Sequence, residues 1–160
     1  MHSANILVLR PTTAADLPTL AEFNADAEAC HMAAFTAPDP SDRQAYIQKW
    51  TRLLADPSII ARAVLHDRRI VGTVGSWVME GERQVTYWMD RSVWGRGFAT
   101  QALQLLLAEL SERPLHARVV ADNVASKRVL EKCGFTVTGT EHGFAHARKS
   151  EVDELVFVLR

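Results

Sequence analysis

The sequence predicts an α/β fold in which a mostly antiparallel sheet is flanked by about four helices. Three observations support this class. Short segments of β-favouring residues occur along the whole chain. Three of them follow one another with only short turns between them, which is typical of an antiparallel meander. Before and after this meander, apolar residues recur at the spacing of amphipathic helices.

The first two elements are a strand and a helix. Residues 6–9 are β-favouring, and Arg10-Pro11-Thr12-Thr13 predicts a turn that ends this strand and can cap a helix. The helix that follows runs through Leu17, Leu20 and Ala21, which recur at helical spacing.

The second helix is predicted from a capping pattern. Residues 33–40 predict a loop, and Ser41 with Gln44 three residues later forms a capping-box pattern. The apolar residues that then repeat at helical spacing are Tyr46, Trp50, Leu53 and Leu54. Pro57 ends this helix because proline cannot continue the hydrogen-bond pattern.

Three strand candidates occupy the middle of the chain. They cover residues 59–65, 70–78 and 84–89. Turn residues at His66-Asp67 and Glu80-Gly81 separate them, so we expect consecutive antiparallel strands.

The next segment predicts the strongest amphipathic helix of the chain. Its apolar face is formed by Ala99, Ala102, Leu103, Leu106, Leu107 and Leu110. Arg113-Pro114 ends it.

The last part of the chain predicts three strands and one helix. Residues 116–121 form a strand, and Asn123 caps a helix, with Gly134 as the left-handed residue beyond its end. Residues 135–139, or a little beyond, and 152–159 form the closing strands.

Length and composition predict one globular domain over residues 1–160. Hydrophobic residues make up 48% of the chain and charged residues 23%, which is the balance of a folded domain rather than a disordered one. The formal net charge is −1, so no long-range field draws the protein to nucleic acid or to an anionic membrane. We therefore expect neither as a partner.

The cysteines and the N-terminal segment indicate a cytoplasmic location. Cys30 and Cys133 lie far apart and fit no C-x-x-C pattern, so they build no disulfide framework. Residues 1–10 lack a basic region followed by an apolar stretch, and no later segment is apolar enough to span a bilayer. No export or membrane signal is expected.

A glycine-rich turn carries the first chemical signal. Trp94-Gly95-Arg96-Gly97-Phe98-Ala99-Thr100 lies between a predicted strand and the strongest helix. Glycines let the backbone approach a ligand closely, and unpaired amides at a helix start favour an anion such as a pyrophosphate. No Gly-Lys-Ser/Thr follows, and the strands before the turn form a meander, so the segment is neither a Walker loop nor a Rossmann fingerprint. The alternative is a tight turn without a ligand.

A second segment strengthens that signal. Residues 123–135 read Asn-Val-Ala-Ser-Lys-Arg-Val-Leu-Glu-Lys-Cys-Gly-Phe. The order of strand, glycine turn, helix, strand, N-x-x-S helix and Gly-Phe resembles the GCN5-related N-acetyltransferase (GNAT) family. Tyr87-Trp88 and the glycine turn resemble its ribosomal-protein-alanine acetyltransferase (RimJ/RimL-like) branch. The likeness covers nearly the whole chain, and its sharp motifs span residues 84–135.

The resemblance implies a mixed sheet that is splayed between its fourth and fifth strands, here residues 84–89 and 116–121. Acetyl-CoA, the acyl donor, would be wedged in the opening. Main-chain groups of Trp88 and Met89 would pair with the pantetheine arm, and Asn123 and Ser126 would flank the thiol end. The implied cofactor site comprises Trp88, Met89, Trp94, Gly95, Arg96, Gly97, Phe98, Ala99, Thr100, Asn123 and Ser126.

Basic side chains near this site have two interpretations. Arg96 could add positive charge for the phosphates, and Lys127 or Arg128 could reach the outer part of the cofactor. The alternative for all three is a solvated basic face.

The implied activity is transfer of an acetyl group to a primary amine by direct attack in a ternary complex. The acceptor would be a protein N-terminus or a small-molecule amine. The reaction needs a neutral amine, a positioned carbonyl and a donor for the oxyanion. The strand amide near Met89 is the candidate oxyanion donor.

The chain departs from the family at the residue that protonates the departing thiolate. Many members carry a tyrosine in the helix after the asparagine, and Leu130 occupies that position here. Ser126 is the substitute candidate. The alternatives are a first-turn serine bonded to the backbone, and protonation by solvent.

The general base also departs from the family pattern. Relatives often use a glutamate on the fourth strand, but this strand begins Gln84-Val85-Thr86-Tyr87. The candidates are Glu82, which we select, Glu80, and His31 in the loop expected near the acceptor mouth. Ordinary exposed side chains are the alternative for each.

The remaining expectations concern metals, aromatics and partners. His142 and His146 lack a third ligand in register, so no metal is assigned. Tyr46, Trp50, Trp77 and Trp88 are expected to fill the core rather than line an acceptor groove. Dimers are common in the family, so a homodimer is possible. A non-catalytic acyl-CoA sensor or interaction module is the alternative function.

Overall fold

The computed structural model describes residues 6–160, in which seven strands form one sheet. The strands are β1 Leu7–Pro11, β2 Ile60–His66, β3 Arg69–Met79, β4 Glu82–Met89, β5 Leu115–Val120, β6 Thr136–Ala145 and β7 Ser150–Leu159. The helices are α1 Leu17–Ala25, α2 Ala27–Ala33, α3 Arg43–Leu54, α4 Phe98–Glu109 and α5 Val124–Lys132. Single 3-10 turns occur at Ala14–Asp16 and Arg91–Val93.

The sheet is antiparallel except where β4 meets β5. Its order is β1-β2-β3-β4-β5-β7-β6, and β4 and β5 run parallel. They are joined through the single residue pair Gln84 and His116, near the start of both strands. Beyond that pair the strands diverge, because no further pairing holds them together. The predicted mixed sheet, splayed between its fourth and fifth strands, is confirmed.

The main core lies between the sheet and α4. Phe98, Leu103 and Leu106 of α4 are almost fully buried, and Leu130 of α5 joins the same cluster. The predicted amphipathic helix is therefore confirmed, since its apolar stripe is the face that the sheet covers. Val85 and Met89 of β4 point toward this core.

The even-numbered residues of β4 point to the other face of the sheet, because side chains alternate along a strand. Trp88 shows this placement, since its indole nitrogen donates to the carbonyl of Phe23 in α1 at 3.0 Å. Asn123 likewise donates to the carbonyl of Met32 in α2 at 3.2 Å. Helices α1 and α2 thus cover the face opposite α4.

Several local predictions were wrong by a few residues. The capping residue of α3 is Asp42, whose carboxylate accepts from the amide of Ala45, while Ser41 bonds to Asp39 instead. An aspartate one residue later competes successfully for the cap because its charge favours the helix start.

The end of the first strand was predicted two residues too early, because β1 continues through Pro11, whereas Thr13 of the predicted turn is the N-cap of the 3-10 turn Ala14–Asp16. Proline is tolerated there because β1 is an edge strand whose outer side needs no donor. The sequence prediction also missed α2, which Asp26 caps through the amide of Ala29. His31 therefore lies in a helix rather than in a loop.

The expectations about location concern three features. None of the helices within residues 6–160 combines the length and apolarity needed to cross a bilayer. Cys30 and Cys133 are both free thiols. The expected lack of an export signal rests partly on residues 1–5, which lie outside the described residues.

Candidate functional site

The divergence of β4 and β5 opens a cleft of about 1050 Å³. Its walls come from the two strands, the glycine turn, the start of α4 and the helix α5. On the α4 side of the sheet the lining includes Gly95, Gly97 and Thr100, and on the opposite side it includes Gln84, Arg118 and Glu154. The cleft therefore has a lining on both faces of the sheet and runs past the point where β4 and β5 separate.

The glycine turn presents backbone to this cleft. Gly95 and Gly97 have φ of 79° and 77°, the left-handed region that glycine adopts without strain. A Cβ atom added to either glycine would meet nothing within 4 Å. The space next to both residues is thus free for a ligand.

Gly97 is also the N-cap residue of α4. The amide of Gln101 donates to the carbonyl of Gly97, so the amides of Phe98, Ala99 and Thr100 precede the first hydrogen bond of the helix. Unpaired first-turn amides carry the positive end of the helix dipole. The predicted anion-binding turn has the backbone geometry that its chemistry requires.

Trp94 and Arg96 of the turn and Trp88 of β4 have defined contacts. Trp94 donates from its indole nitrogen to the carbonyl of Met89 at 3.1 Å, which holds the turn against the end of β4. Arg96 lies over the ring of Phe98 at 4.5 Å from its centroid. Trp88 lines the cleft while its indole is held by α1.

The backbone of β4 offers hydrogen-bonding groups to the cleft. The amide of Asp90 donates to the carbonyl of Val71 at 2.8 Å, so Asp90 and Val71 form a hydrogen-bonded pair between the end of β4 and β3. Because such pairs alternate along an antiparallel ladder, the amides of Met89 and Tyr87 point away from β3, toward the gap. The amide and the carbonyl of Trp88 point toward Thr73 of β3 instead.

Asn123 and Ser126 are brought together at the start of α5. The side-chain oxygen of Asn123 accepts from the amide of Ser126 at 3.1 Å, which confirms the predicted cap. Lys127 donates to the carbonyl of Ala121 at 3.2 Å, whereas Arg128 lies exposed at the cleft.

Sequence reasoning missed the partner of Ser126, which is Tyr87. The Tyr87 oxygen lies 2.5 Å from Ser126 Oγ and 3.1 Å from the Ser126 carbonyl oxygen. Burial raises the pKa of Tyr87 to about 12, so the phenol is neutral at physiological pH. Leu130, at the usual tyrosine position, is fully buried in the core. This chain thus places a phenol beside the N-x-x-S segment from β4 instead of from α5.

A cluster of charged side chains on the α1/α2 face of the sheet was also missed. Arg118 of β5 forms ion pairs with Glu141 of β6 and with Glu154 of β7, the latter at 3.6 Å. The Glu154 side chain is only 18% exposed, and burial raises its pKa although Arg118 lowers it. These positions are spread over three strands, so only the pairing of the strands shows that they meet.

The predicted candidates for the general base lie in different places. Glu82 begins β4, where its carboxylate lies 3.2 Å from Nε2 of His116, and it is not part of the cleft lining. Glu80 does line the cleft. His31 lies away from the cleft lining, and its carbonyl accepts from Arg148 at 2.6 Å.

Three of the remaining predicted features can be located. His142 pairs with Asp153 at 2.8 Å, and no group of three potential metal ligands occurs within residues 6–160. The expectation that Trp77 fills the core is wrong, since it is 39% exposed and lines the cleft. Tyr46 and Trp50 lie against each other on α3, with ring centroids 6.2 Å apart.

Comparison with known proteins identifies the fold and its family. The model of the acetyltransferase (GNAT) domain matches residues 7–136. The chain belongs to the GNAT acetyltransferase family.

Two curated relatives of this GNAT chain carry related names. The probable N-acetyltransferase YjcK of Bacillus subtilis is 35% identical over 81 residues, which is 46% of this chain and 45% of that protein. The uncharacterized N-acetyltransferase p20 of Bacillus licheniformis is 27% identical over 97 residues, 56% of this chain and 54% of that protein. The chain thus spans about half the length of the curated relatives it matches.

Solved GNAT structures share the whole fold. Mycobacterium smegmatis RimJ in complex with CoA-disulfide has a TM-score of 0.79 at 22% identity, covering 98% of this chain and 82% of that one. Spermidine N-acetyltransferase from Vibrio cholerae, in complex with CoA and spermine, has a TM-score of 0.78 at 15% identity, covering 96% and 94%. At these identities the likeness establishes the fold.

Proposed function

We propose that this protein transfers an acetyl group from acetyl-CoA to a primary amine by direct attack in a ternary complex. The observation that carries the proposal is the cleft between β4 and β5, which has an amide-lined glycine turn on one side and a carboxylate-bearing face on the other. Two reactants can therefore approach one point from opposite faces of the sheet. Holding them in that arrangement accounts for a large part of such catalysis.

The acyl donor fits the α4 side of the cleft. The open space beside Gly95 and Gly97 admits a pyrophosphate to the first-turn amides of α4. The amide and carbonyl of Tyr87, which face the gap, can pair with a pantetheine arm. Arg128 and Lys132 are exposed side chains of the cleft wall and add positive charge near the outer cofactor. Acetyl-CoA, when bound, supplies an activated thioester carbonyl.

The amide of Met89 remains our candidate for the oxyanion donor, because it faces the gap. A single such donor is worth about 3 kcal/mol of transition-state stabilisation. The hydroxyl of Ser126, oriented by Tyr87, is our candidate for holding the departing sulfur. We favour a hydrogen bond to the thiolate over proton release from Tyr87, since a phenol with a pKa of about 12 is a weak acid.

Glu154 is a better placed base than Glu82. It lines the cleft on the acceptor side, and its raised pKa makes it a stronger proton acceptor than an ordinary glutamate. Glu82 pairs with His116 outside the cleft lining. In the proposed reaction the amine nitrogen forms the new C–N bond, the C–S bond breaks, Glu154 takes the amine proton, and the thiolate leaves.

The related structures do not identify the acceptor amine of this protein. One of them is a RimJ protein and another is a spermidine N-acetyltransferase with spermine bound. Protein N-termini and small amines therefore both remain acceptors to be tested.

The deciding experiment combines binding and turnover. Calorimetric titration with acetyl-CoA is followed, in the same sample, by thiol release with a panel of amines and N-terminal peptides. Binding together with amine-dependent thiol release is the expected result. Absence of acetyl-CoA binding overturns the proposal. Binding without release from any amine leaves the acyl-CoA sensor as the better description.

A further inference from the structure

The C-terminus of α2 is closed by side chains from two distant parts of the chain. The last four carbonyls of a helix have no partner within it and need one from elsewhere. The carbonyl of His31 accepts from Nε of Arg148 at 2.6 Å, and that of Met32 accepts from Nδ2 of Asn123 at 3.2 Å. The other two carbonyls accept from the amides of the two residues that follow the helix. The end of α2 is therefore held by groups from the β6–β7 turn and from the start of α5.

Arg148 also bonds to the segment that leads into α5. Its two terminal nitrogens donate to the two carboxylate oxygens of Asp122 at 2.8 Å and 3.0 Å. The hydrogen bond from Arg148 holds the pKa of Asp122 below its usual range, so the pair is ionised at neutral pH. A bidentate pair of this kind fixes orientation as well as distance. One guanidinium thus joins α2 to the residue before Asn123, and we call the bonds of Arg148 to His31 and Asp122 the Arg148 clamp.

The segment that the clamp holds forms part of the cleft wall. Met32, Ala33 and Phe35 all line the cleft. Ala34 lies among them with φ 67° and ψ −55°, a conformation that a residue other than glycine keeps only when its surroundings impose it. Ala34 is fully buried in a small cluster with Val120 of β5. The wall therefore has an imposed shape that depends on how α2 is docked.

This wall lies on the side of the cleft that we assign to the acceptor, because α1 and α2 cover the face opposite α4. The glycine turn and the first amides of α4, which we assign to the donor, lie on the other face. Arg148 itself is not part of the cleft lining. Any effect that it has on the acceptor must therefore pass through the wall.

We propose that Arg148 is a positioning residue of the transferase, which fixes the wall at residues 32–35 against the start of α5 and so shapes the acceptor side of the cleft. The inference rests on the proposed function and adds a residue to it. Loss of the clamp displaces the wall, which weakens binding of the acceptor and leaves the donor site intact.

The first test is Arg148→Met, which keeps the length of the side chain and removes the guanidinium. Thiol release is measured with the amine of the panel that the wild type acetylates fastest. The KM for this amine is expected to rise about tenfold, equivalent to about 1.4 kcal/mol of lost binding. Neither kcat at saturating amine nor the calorimetric affinity for acetyl-CoA should change, since the wall contacts neither the thioester nor the pyrophosphate.

Arg83→Met is the matched control. The side chains of Arg83 and Arg148 are 12% and 11% exposed, and each bonds to one carboxylate and one main-chain carbonyl. The partners of Arg83 are Glu112 and Ser58, and Arg83 does not line the cleft. Both variants are expected to be less stable, but only Arg148→Met should raise the KM. An unchanged KM in Arg148→Met, an equal rise in both variants, or a fall in kcat alone overturns the inference.

The partner of Arg148 gives a second test. Asp122→Asn removes the charge and keeps the shape of the side chain, so the KM for the amine should rise in this variant too. Both substitutions break the same clamp, and the double variant is therefore expected to have the KM of Arg148→Met. A double variant in which the two effects multiply would show that Asp122 and Arg148 act independently and would contradict the clamp.

Hydrogen exchange tests the clamp without turnover. The amides of residues 30–36 are expected to exchange about tenfold faster in Arg148→Met than in the wild type, since exchange follows the free energy of local opening. They should stay unchanged in Arg83→Met, and equal protection in all three proteins overturns the clamp. If no amine releases thiol from the wild type, the proposed function fails, and exchange still decides the clamp. The two failures are therefore distinguishable.

Discussion

The phenol oxygen of Tyr87 lies 2.5 Å from Oγ of Ser126, and this contact joins β4 to α5 across the cleft. A phenol has one proton, so the Tyr87 hydroxyl can donate a hydrogen bond either to Oγ or to the Ser126 carbonyl, which is 3.1 Å away. When the phenol donates to the carbonyl, the serine hydroxyl must donate to the phenol oxygen. The pair therefore controls which way the Ser126 proton points.

Replacing Tyr87 by phenylalanine removes the hydroxyl that orients the Ser126 proton. The variant is expected to lose about 1 kcal/mol of unfolding free energy, because polar atoms of Ser126 lose their partner. Its kcat is expected to fall while binding of acetyl-CoA changes little. Chemical denaturation and thiol-release kinetics measure the two effects. Tyr46→Phe, on α3 outside the cleft lining, is the control; equal losses of kcat in both variants would contradict a role for the pair.

The phenols of the two tyrosines are expected to titrate at unusually high pH. The chain contains only Tyr46 and Tyr87, and burial raises the pKa of each to about 12. Absorbance at the phenolate band is therefore expected to stay flat through pH 10 in the folded protein. Below pH 10 both states keep their phenols protonated, so the full stability is present. As the pH rises from 10 toward 12, only the unfolded state releases these protons, and stability falls. A folded-state inflection near pH 10 would show that a phenol is solvated.

Gly97 is expected to be essential for acetyl-CoA binding. Gly97→Arg costs about 1 kcal/mol of backbone strain at φ 77° and puts a side chain where the pyrophosphate must approach. Calorimetry should detect no binding, although the circular dichroism spectrum is retained. Gly81→Arg is the matched control, since Gly81 has φ 79°, equally open space and no place in the cleft lining. Unchanged affinity in Gly97→Arg removes this cofactor site.

Gly75 is expected to be essential for packing of the sheet. A Cβ atom there would lie 2.4 Å from the carbonyl oxygen of Ile60, a backbone atom that cannot move alone. Gly75→Ala should lower the free energy of unfolding by about 3 kcal/mol. Gly139→Ala, whose Cβ would meet nothing within 4 Å, should change it by no more than about 0.5 kcal/mol. Thermal or chemical denaturation of both variants checks the contrast, which disappears if β2 and β3 can shift apart freely.

Glu154 is expected to control the acid limb of the pH profile. A base must be ionised, so kcat/KM should fall as the pH drops through the raised pKa of Glu154. Arg118 lowers that pKa, and Arg118→Met should therefore move the midpoint to higher pH. The acceptor amine also titrates, so kcat/KM is expressed per concentration of neutral amine. On that scale Glu154→Gln should remove the limb, and its kcat should fall. A limb that persists unchanged on that scale in Glu154→Gln would exclude Glu154 as the base.

The features that could be predicted from the sequence are those whose cause is local. The turn at Gly95 and Gly97 and the cap at Asn123 depend on residues within a few positions of each other. The stripe of α4 follows from its own periodicity. Competition between equally local signals caused the errors, as when Asp42 rather than Ser41 capped α3.

The tertiary structure alone decided which distant residues form the site. Tyr87 and Ser126 are 39 residues apart, and Arg118 and Glu141 are 23 apart. Whether they meet depends on strand pairing and on the face toward which each side chain points, and a shift of one residue reverses that face. The sequence by itself determined the fold class, the glycine turn and the family resemblance, because these are written in short spacings. The opened β4–β5 cleft and the Arg118–Glu141–Glu154 cluster beside it arise only when the strands of the sheet pair in this order.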